Sequence, residues 1–237
     1  MTATRIDILT LFPDLFEPVL SESITGRARK AGIVEWHAHD IRRYASNKHS
    51  KVDDRPFGGG PGMVMMCQPL WDCVASVEAQ DPRPPMRVLM TPQGRPLTQR
   101  MVEELAKQPR LLLIAGHYEG IDERVIDKLA PMEISVGDYV LSGGEIPAML
   151  LVDAVVRLMP GALGHEDSAV EDSFSELVTP SGVRRLLDCP HYTRPREWDG
   201  MEVPEILVSG DHEKVARWRL DQKLARTRAR RPDLFVD

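Results

Sequence analysis

Cysteine is scarce in this chain: Cys67, Cys73 and Cys189 are the only three among 237 residues. None belongs to a C-x-x-C pair and the odd number leaves one thiol over, which argues against a disulfide framework and for a reducing cytoplasm. Aromatic residues amount to only 5%, and the formal net charge of -6 gives no global attraction to nucleic acid or anionic lipid. Any basic surface must therefore be local. Long apolar runs are also missing. Asp7, Asp14 and Glu17 interrupt the apolar residues near the N-terminus, which breaks a signal-peptide core, and no later run is long enough to span a bilayer. Membrane roles are set aside. Two nucleotide signatures are absent as well: no G-x-G-x-x-G opens a helix after a strand, and no G-x-x-x-x-G-K-[ST] occurs. Neither a Rossmann dinucleotide site nor a P-loop is supported.

What is there is an ordinary globular composition, 42% hydrophobic and 28% charged, in a chain long enough to bury a substantial core. Ile6 to Leu11 read as a short buried strand, Glu17 to Lys30 as a polar helical segment, and Ile33 to His39 as an alternating strand. Arg42 to Pro61 lack apolar periodicity and read as a surface loop, followed by Met63 to Met66 and a helix over Pro69 to Glu78. From Arg87 the pattern becomes regular. Strand Val88 to Met90, turn Thr91 to Arg95, helix Leu97 to Lys107, strand Leu111 to Ala115, helix Asp122 to Leu129, strand Ile134 to Val136 and helix Ile146 to Met159 succeed one another. Such alternation predicts an α/β fold with a mostly parallel sheet covered by helices on both faces. Ligands of open α/β sheets lie beyond the carboxyl ends of the strands, so the turns at Thr91, Gly116 and Gly137 are where chemistry is expected.

Ile134 to Pro147 is the most telling stretch. A β-like run ends in glycines and a helix begins, and Gly143 and Gly144 allow bare backbone to approach a ligand. Gly58-Gly59-Gly60-Pro61-Gly62 suggests a phosphate cradle only weakly, since glycine-rich loops are most often plain turns. After Pro160-Gly161 the chain turns polar. Residues 1–160 are read as the ligand-binding domain, 161–196 as a flexible linker and 197–237 as a small helical, basic C-terminal domain. In its helix, Lys214, Arg217, Arg219, Lys223, Arg226, Arg228, Arg230 and Arg231 outnumber the nearby acids, which a solvated face explains as well as a nucleic-acid footprint does.

Val52-Asp53-Asp54-Arg55-Pro56-Phe57-Gly58-Gly59-Gly60-Pro61-Gly62-Met63 resembles a signature of the bacterial tRNA (guanine-N1-)-methyltransferases. Further blocks of that family are matched in the same order: Gly116-His117-Tyr118-Glu119-Gly120-Ile121-Asp122-Glu123-Arg124, then Ile134 to Pro147, then Glu171-Asp172-Ser173-Phe174. Leu187-Asp188-Cys189-Pro190-His191-Tyr192-Thr193-Arg194-Pro195 follows, and the likeness continues to Trp218-Arg219-Leu220 and Arg230-Arg231-Pro232-Asp233-Leu234.

The resemblance implies a SPOUT methyltransferase with a C-terminal trefoil knot in its α/β domain, a rare exception to ordinary chain connections. S-adenosylmethionine is the implied cofactor. It would lie among Leu89, Thr91, Pro92, Gly94, Gly116, Tyr118, Glu119, Ser135, Val136, Gly137, Asp138, Tyr139, Val140, Leu141, Gly143, Gly144 and Pro147, where backbone groups can read the adenine edge. The implied reaction is methylation at N1 of the guanine immediately 3′ of the tRNA anticodon, when another guanine precedes it. Asp172 would accept the N1 proton, Arg157 would offset charge developing on O6, and Glu119 would contact guanine or cofactor. Taken without the resemblance, Asp172 reads more readily as a helix N-cap beside Ser173 than as a base, and Arg157 as a surface charge at the end of the long helix. The resemblance further implies a cytoplasmic homodimer with active sites shared between subunits and tRNA gripped by both. The basic helix would contact anticodon-stem phosphates, with His165, His191 and Tyr192 as further RNA contacts. Magnesium dependence is linked to the family, while the sequence shows no metal cage and no metal ligand is assigned.

Two departures stand out. Between Phe174 and Leu186 the chain runs longer than in many members of that family, and Pro180, Ser181 and Gly182 predict a segment that is mobile without RNA. His117 stands where arginine is common, and it is assigned no role. The competing readings are a non-catalytic RNA-binding protein that retains the SPOUT fold, and a nicotinamide-dependent oxidoreductase, which would need the missing glycine fingerprint.

Overall fold

The structure is a computed structural model in which residues 3–164, 172–179 and 182–235 are described. The chain divides into two compact units, Met1–Gly164 and His165–Asp237.

The first unit is built on strands β1 (Thr4–Thr10), β2 (Val34–Asp40), β5 (Met86–Pro96), β6 (Arg110–Ala115) and β7 (Met132–Ser135), which form one five-stranded sheet in the order β2-β1-β6-β5-β7. Every pairing in it is parallel. Two-residue strands β3 (Asp53–Asp54) and β4 (Val64–Met65) form a separate antiparallel ladder at the base of the glycine-rich loop.

Period-two burial explains the layers. Along β6, Leu111, Leu113 and Ala115 join one apolar cluster while Leu112 and Ile114 join the other, because successive side chains of a strand point to opposite faces. Helices α1 (Glu17–Leu20), α2 (Ser23–Lys30), α4 (Gln99–Leu105) and α6 (Glu145–Val156) contribute to the first cluster through Leu20, Ala28, Val102, Leu105, Leu151 and Val155. Helices α3 (Cys67–Glu78) and α5 (Glu123–Leu129) cover the other face through Leu70, Val74, Val77, Val125 and Leu129. The expected parallel sheet with helices on both faces is what the chain forms.

One polar network is embedded in this core. Arg110 is fully buried, and its guanidinium donates to Asp7 Oδ2 at 3.0 Å and to the carbonyls of Val77 (2.7 Å), Glu78 (3.1 Å), Asp81 (2.8 Å) and Arg83 (3.1 Å). It thereby adds a donor to the carbonyls of the last turn of α3 and of the segment that follows it. Asp7 also receives Arg5 at 2.9 Å and His39 at 2.8 Å. Burial pushes the Asp7 carboxyl up, but His39, Arg5 and Arg110 outweigh it and hold it at about 2.

Local differences from the sequence reading have physical causes. The expected helix over residues 17–30 is two helices, with a break before Ser23, whose φ of 52° is left-handed. The expected turn from Thr91 to Arg95 lies within β5: Met90 and Arg95 both pair with Ile134, so the intervening residues loop out as a bulge and the strand resumes.

In the second unit, β8 (Glu176–Thr179) and β9 (Gly182–Arg185) form an antiparallel hairpin within the span read as a linker, which accounts for the extra residues after Phe174. Glu171, Pro180 and Ser181 lie outside the described residues, as does His165. A smaller hairpin, β10 (Glu197–Trp198) with β11 (Met201–Glu202), precedes α7 (His212–Arg230), the expected basic helix. Buried Thr227 on α7 accepts the Leu187 amide at 2.9 Å, which ties residues 186–189 along the helix.

Candidate functional site

The carboxyl ends of β5, β6 and β7 meet in a cleft of about 560 Å³. Three turns build it. After β6, residues 116–121 are pinned to the glycine-rich loop, since the Glu119 amide donates to the Met63 carbonyl and the Met65 amide to the Gly120 carbonyl, both at 2.9 Å. Glu119 lays its side chain against Gly62. After β7, Ser135 Oγ donates to the Gly137 carbonyl at 3.1 Å and accepts its amide at 3.2 Å, folding the chain sharply toward Tyr139. The bulge in β5 supplies the third wall through Thr91, Pro92 and Gln93.

Gly144 closes the junction between the first two turns. Its amide donates to the Gly116 carbonyl at 2.7 Å, and a Cβ there would lie 2.8 Å from Ala115 Cα, so no side chain fits. Glu145 then starts α6 with its carboxylate buried under the crevice floor, accepting Thr10 Oγ1 at 2.9 Å. His117 Nδ1 lies 3.5 Å from the same carboxylate, and the His117 ring packs against Phe12 and Tyr118. Tyr118 is held at a left-handed φ of 63° by the surrounding pairings, and burial and the nearby Asp53 carboxylate push its phenol up, so it stays a proton donor.

Of the residues expected around a cofactor, the cleft brings together Leu89, Thr91, Pro92, Gly116, Tyr118, Glu119, Ser135, Val136, Gly137, Tyr139, Val140, Leu141, Gly143, Gly144 and Pro147. Gly94 and Asp138 do not line it. Gly94 is turned against the Ile134 backbone, where it lets the bulged β5 rejoin β7. Sequence reading missed Glu123, Ile126 and Glu133, whose lining role comes from register rather than from any local motif.

The electrostatics of the cleft are one-sided. Glu119, Glu123 and Glu133 line it, whereas no lysine or arginine does among the described residues. Tyr139, Val140 and Leu141 form an exposed apolar lip, with Val140 85% exposed. The arrangement suits a ligand with an apolar, hydrogen-bonding body and a positive centre, and it disfavours a pyrophosphate.

Arg157 does not line the cleft. It caps the far end of α6, whose twelve residues put it about 18 Å along the helix axis from Glu145. Asp172 belongs to the second unit, where it lines a separate cleft with Ser173, Asp188, His191, Arg226 and Arg230. Nearby, Asp188, Cys189 and His191 bring ligand-type atoms within 4.8 Å of one another. Asp188 is already engaged by the Cys189 amide at 2.7 Å, His191 at 2.7 Å and Lys223 at 3.1 Å. Burial, with Asp188 beside it, pushes the Cys189 thiol up, so this group does not fit an oxygen-seeking magnesium ion. No helix among the described residues is long and apolar enough to cross a membrane.

Fold and cleft together define the chain as an α/β protein with a small-molecule-sized cleft, lined by acidic and apolar residues, at the carboxyl ends of its parallel strands. Residues 4–237 match the family model for tRNA (Guanine-1)-methyltransferase TrmD, and the chain belongs to that family. Similar relatives, each named tRNA (guanine-N(1)-)-methyltransferase, come from Ruminiclostridium cellulolyticum (52% identical, covering 98% of this chain and 96% of the relative) and Chloroflexus aurantiacus (53%, covering 98% and 88%). A third, from Shewanella denitrificans, is 52% identical over 97% of this chain and 90% of its own length.

Proposed function

We propose that the protein methylates N1 of the guanine immediately 3′ of the tRNA anticodon, with S-adenosylmethionine held in the cleft at the ends of β5, β6 and β7. The observation that carries this reading is the lining by three glutamates with no lysine or arginine among the described residues. A sulfonium cation is stabilised by such a wall, and a dinucleotide phosphate is repelled by it. The bound cofactor supplies an electrophilic methyl group. The cleft volume lies within the ~300–1,000 Å³ usual for small-molecule sites, and the turn backbone offers the amides and carbonyls an adenine edge needs.

The chain's own groups divide the remaining work. Guanine N1 must lose its proton, and Asp172 accepts it, because an ionised carboxylate has acceptor capacity only. Arg157 offsets the charge that grows on O6, since a guanidinium stays protonated and donates in a planar fork. Glu119, fixed between Gly62 and the turn after β6, contacts the guanine or the cofactor. The distance of Arg157 from the cleft along α6 is accounted for by a homodimer in which each site takes residues from both subunits. Apolar side chains left exposed on α1 and α6, Val19, Ile146 and Leu150, supply a face for that contact. The parallel sheet is threaded as a trefoil knot of the SPOUT type. Residues 161–196 serve as the linker that delivers Asp172, and 197–237 grip the RNA, with His191 and Tyr192 beside the basic helix. The reaction is cytoplasmic.

The test is to incubate the full chain with methyl-labelled S-adenosylmethionine and tRNA transcripts that differ only at that guanine, then identify the labelled nucleoside. N1-methylguanine formed only when the guanine is present is the expected result. Absence of guanine-dependent transfer would leave the RNA-binding reading in its place. Asp172→Asn should bind the cofactor normally while losing roughly 10²–10⁴ in turnover; unchanged turnover would remove Asp172 as the base.

A further inference from the structure

Where two of the turns that build the first unit's cleft are joined, a buried imidazole nitrogen faces a buried carboxylate. The join itself is backbone: His117 bridges to Gly143, and the Gly144 amide donates to the Gly116 carbonyl at 2.7 Å. Glu145 is buried, and its Oε1 accepts Thr10 Oγ1 at 2.9 Å. Its Oε2 lies 3.5 Å from His117 Nδ1, a buried atom with no hydrogen-bond partner among the described residues. Leaving a buried nitrogen unpaired is costly, and the carboxylate oxygen is the acceptor within reach.

The surroundings favour this contact. A Cβ on Gly143 would collide with both His117 Nδ1 and Glu145 Oε2, so the space between the two atoms is open only because residue 143 is glycine. The ring packs against Phe12 and Tyr118, with centroids 5.1 and 5.3 Å away. The His117 amide meets Met65 Sδ at 3.3 Å, which ties the same residue to β4 at the base of the glycine-rich loop. The contact needs only that a ring proton sit on Nδ1, which the neutral Nδ1–H tautomer and the imidazolium both supply. At 3.5 Å it is longer than the usual N–H···O distance of about 2.9 Å, and hydrogen bonds in ligand sites often tighten when the ligand seats. His117, Gly143 and Gly144 all line the cleft.

We propose that His117 is a positioning residue for the cofactor: its Nδ1–H donates to Glu145 Oε2 and fastens the turn after β6 to the wall formed by Gly143 and Gly144. One ligand can then meet the backbone groups of both turns without first ordering them. Because Glu145 is the first residue of α6, the same bond fixes where that helix begins. The effect on affinity rests on S-adenosylmethionine being the ligand of this cleft, whereas the fastening of the two turns does not.

Two substitutions in the full-length protein separate the nitrogen from the ring. His117→Phe keeps an aromatic ring beside Phe12 and Tyr118 but has no Nδ1, whereas His117→Asn gives up the ring and returns an amide N–H near the same place. His117→Phe should weaken S-adenosylmethionine binding by calorimetry about tenfold, as the loss of a hydrogen bond to a charged group does. The same factor should appear in KM for the cofactor with kcat unchanged. His117→Asn should stay within about threefold of wild type. In a Glu145→Met background, where Oε2 is gone, His117→Phe should cost less than about twofold. Without cofactor, the Gly143 and Gly144 amides should exchange about fivefold faster in His117→Phe and return to the wild-type rate in His117→Asn. Wild-type affinity in His117→Phe, an equal loss in His117→Asn, or an undiminished loss in the Glu145→Met background overturns the proposal. If Glu145→Met does not fold, the Phe and Asn pair decides alone. If the wild type binds no S-adenosylmethionine, the cofactor reading falls and the effect on affinity with it, while exchange in the free protein still decides the fastening.

Discussion

Two polar regions of the same sheet are treated in opposite ways. Around Arg110 and Asp7, charged groups are sealed in the core, and every nitrogen of the Arg110 guanidinium has an acceptor. At the carboxyl ends of β5, β6 and β7, three glutamates line a cleft with no lysine or arginine among its described lining, and apolar side chains stand open beside them. A network that satisfies itself holds the fold together, because removing one partner strands a buried charge. A cleft that leaves its charge and apolar surface uncompensated is waiting for a ligand to supply both.

The sharpest way to break this contrast is to remove Arg110. Arg110→Ala should destabilise the protein by about 3–5 kcal/mol, since buried Asp7 loses one of its three cationic partners and four carbonyls lose a guanidinium donor. Urea unfolding measures it, and a loss below 1 kcal/mol would mean the network is not what holds that end. Next in size, Gly144→Ala should cost about 1–3 kcal/mol because the new Cβ meets Ala115 and Gly116 backbone, and it should abolish cofactor binding by calorimetry.

Acid probes the sealed network. Asp7 is depressed to about 2 in the folded protein, so its contribution is complete above about pH 4 and is lost as pH falls through about 2. Roughly 2 kcal/mol of stability should drain away over that window and not in Asp7→Asn, as followed by urea midpoints at each pH. The smallest change is Glu119→Gln, which removes one of the three wall charges. Cofactor affinity should fall about fivefold with stability unaltered, the ~1 kcal/mol expected of one charge near a solvated cleft.

How far the sequence could foresee this depends on the distance over which each feature is written. The sheet was legible because apolar runs such as Leu111 to Ala115 alternate with helical patterns, and local periodicity reports local structure. Thr91 to Arg95 reads as a turn because Pro92 and Gly94 are strand breakers, and only the neighbouring Ile134 shows that the strand resumes. The hairpin of β8 and β9 escaped notice since its Val178 and Val183 are exposed, leaving no buried face for the pattern to mark. The glycine turns of the cleft announce themselves locally. Glu133 and Glu123 do not, and the Arg110 to Asp7 contact spans 103 positions, beyond any motif.

Hydrogen exchange with and without S-adenosylmethionine tests the contrast most directly. The account predicts slowed exchange at residues 116–121 and 136–144 on adding the cofactor, with no change in β1 or at residues 77–83 around Arg110. Unaltered exchange at 136–144, or protection confined to the Arg110 end, would contradict it.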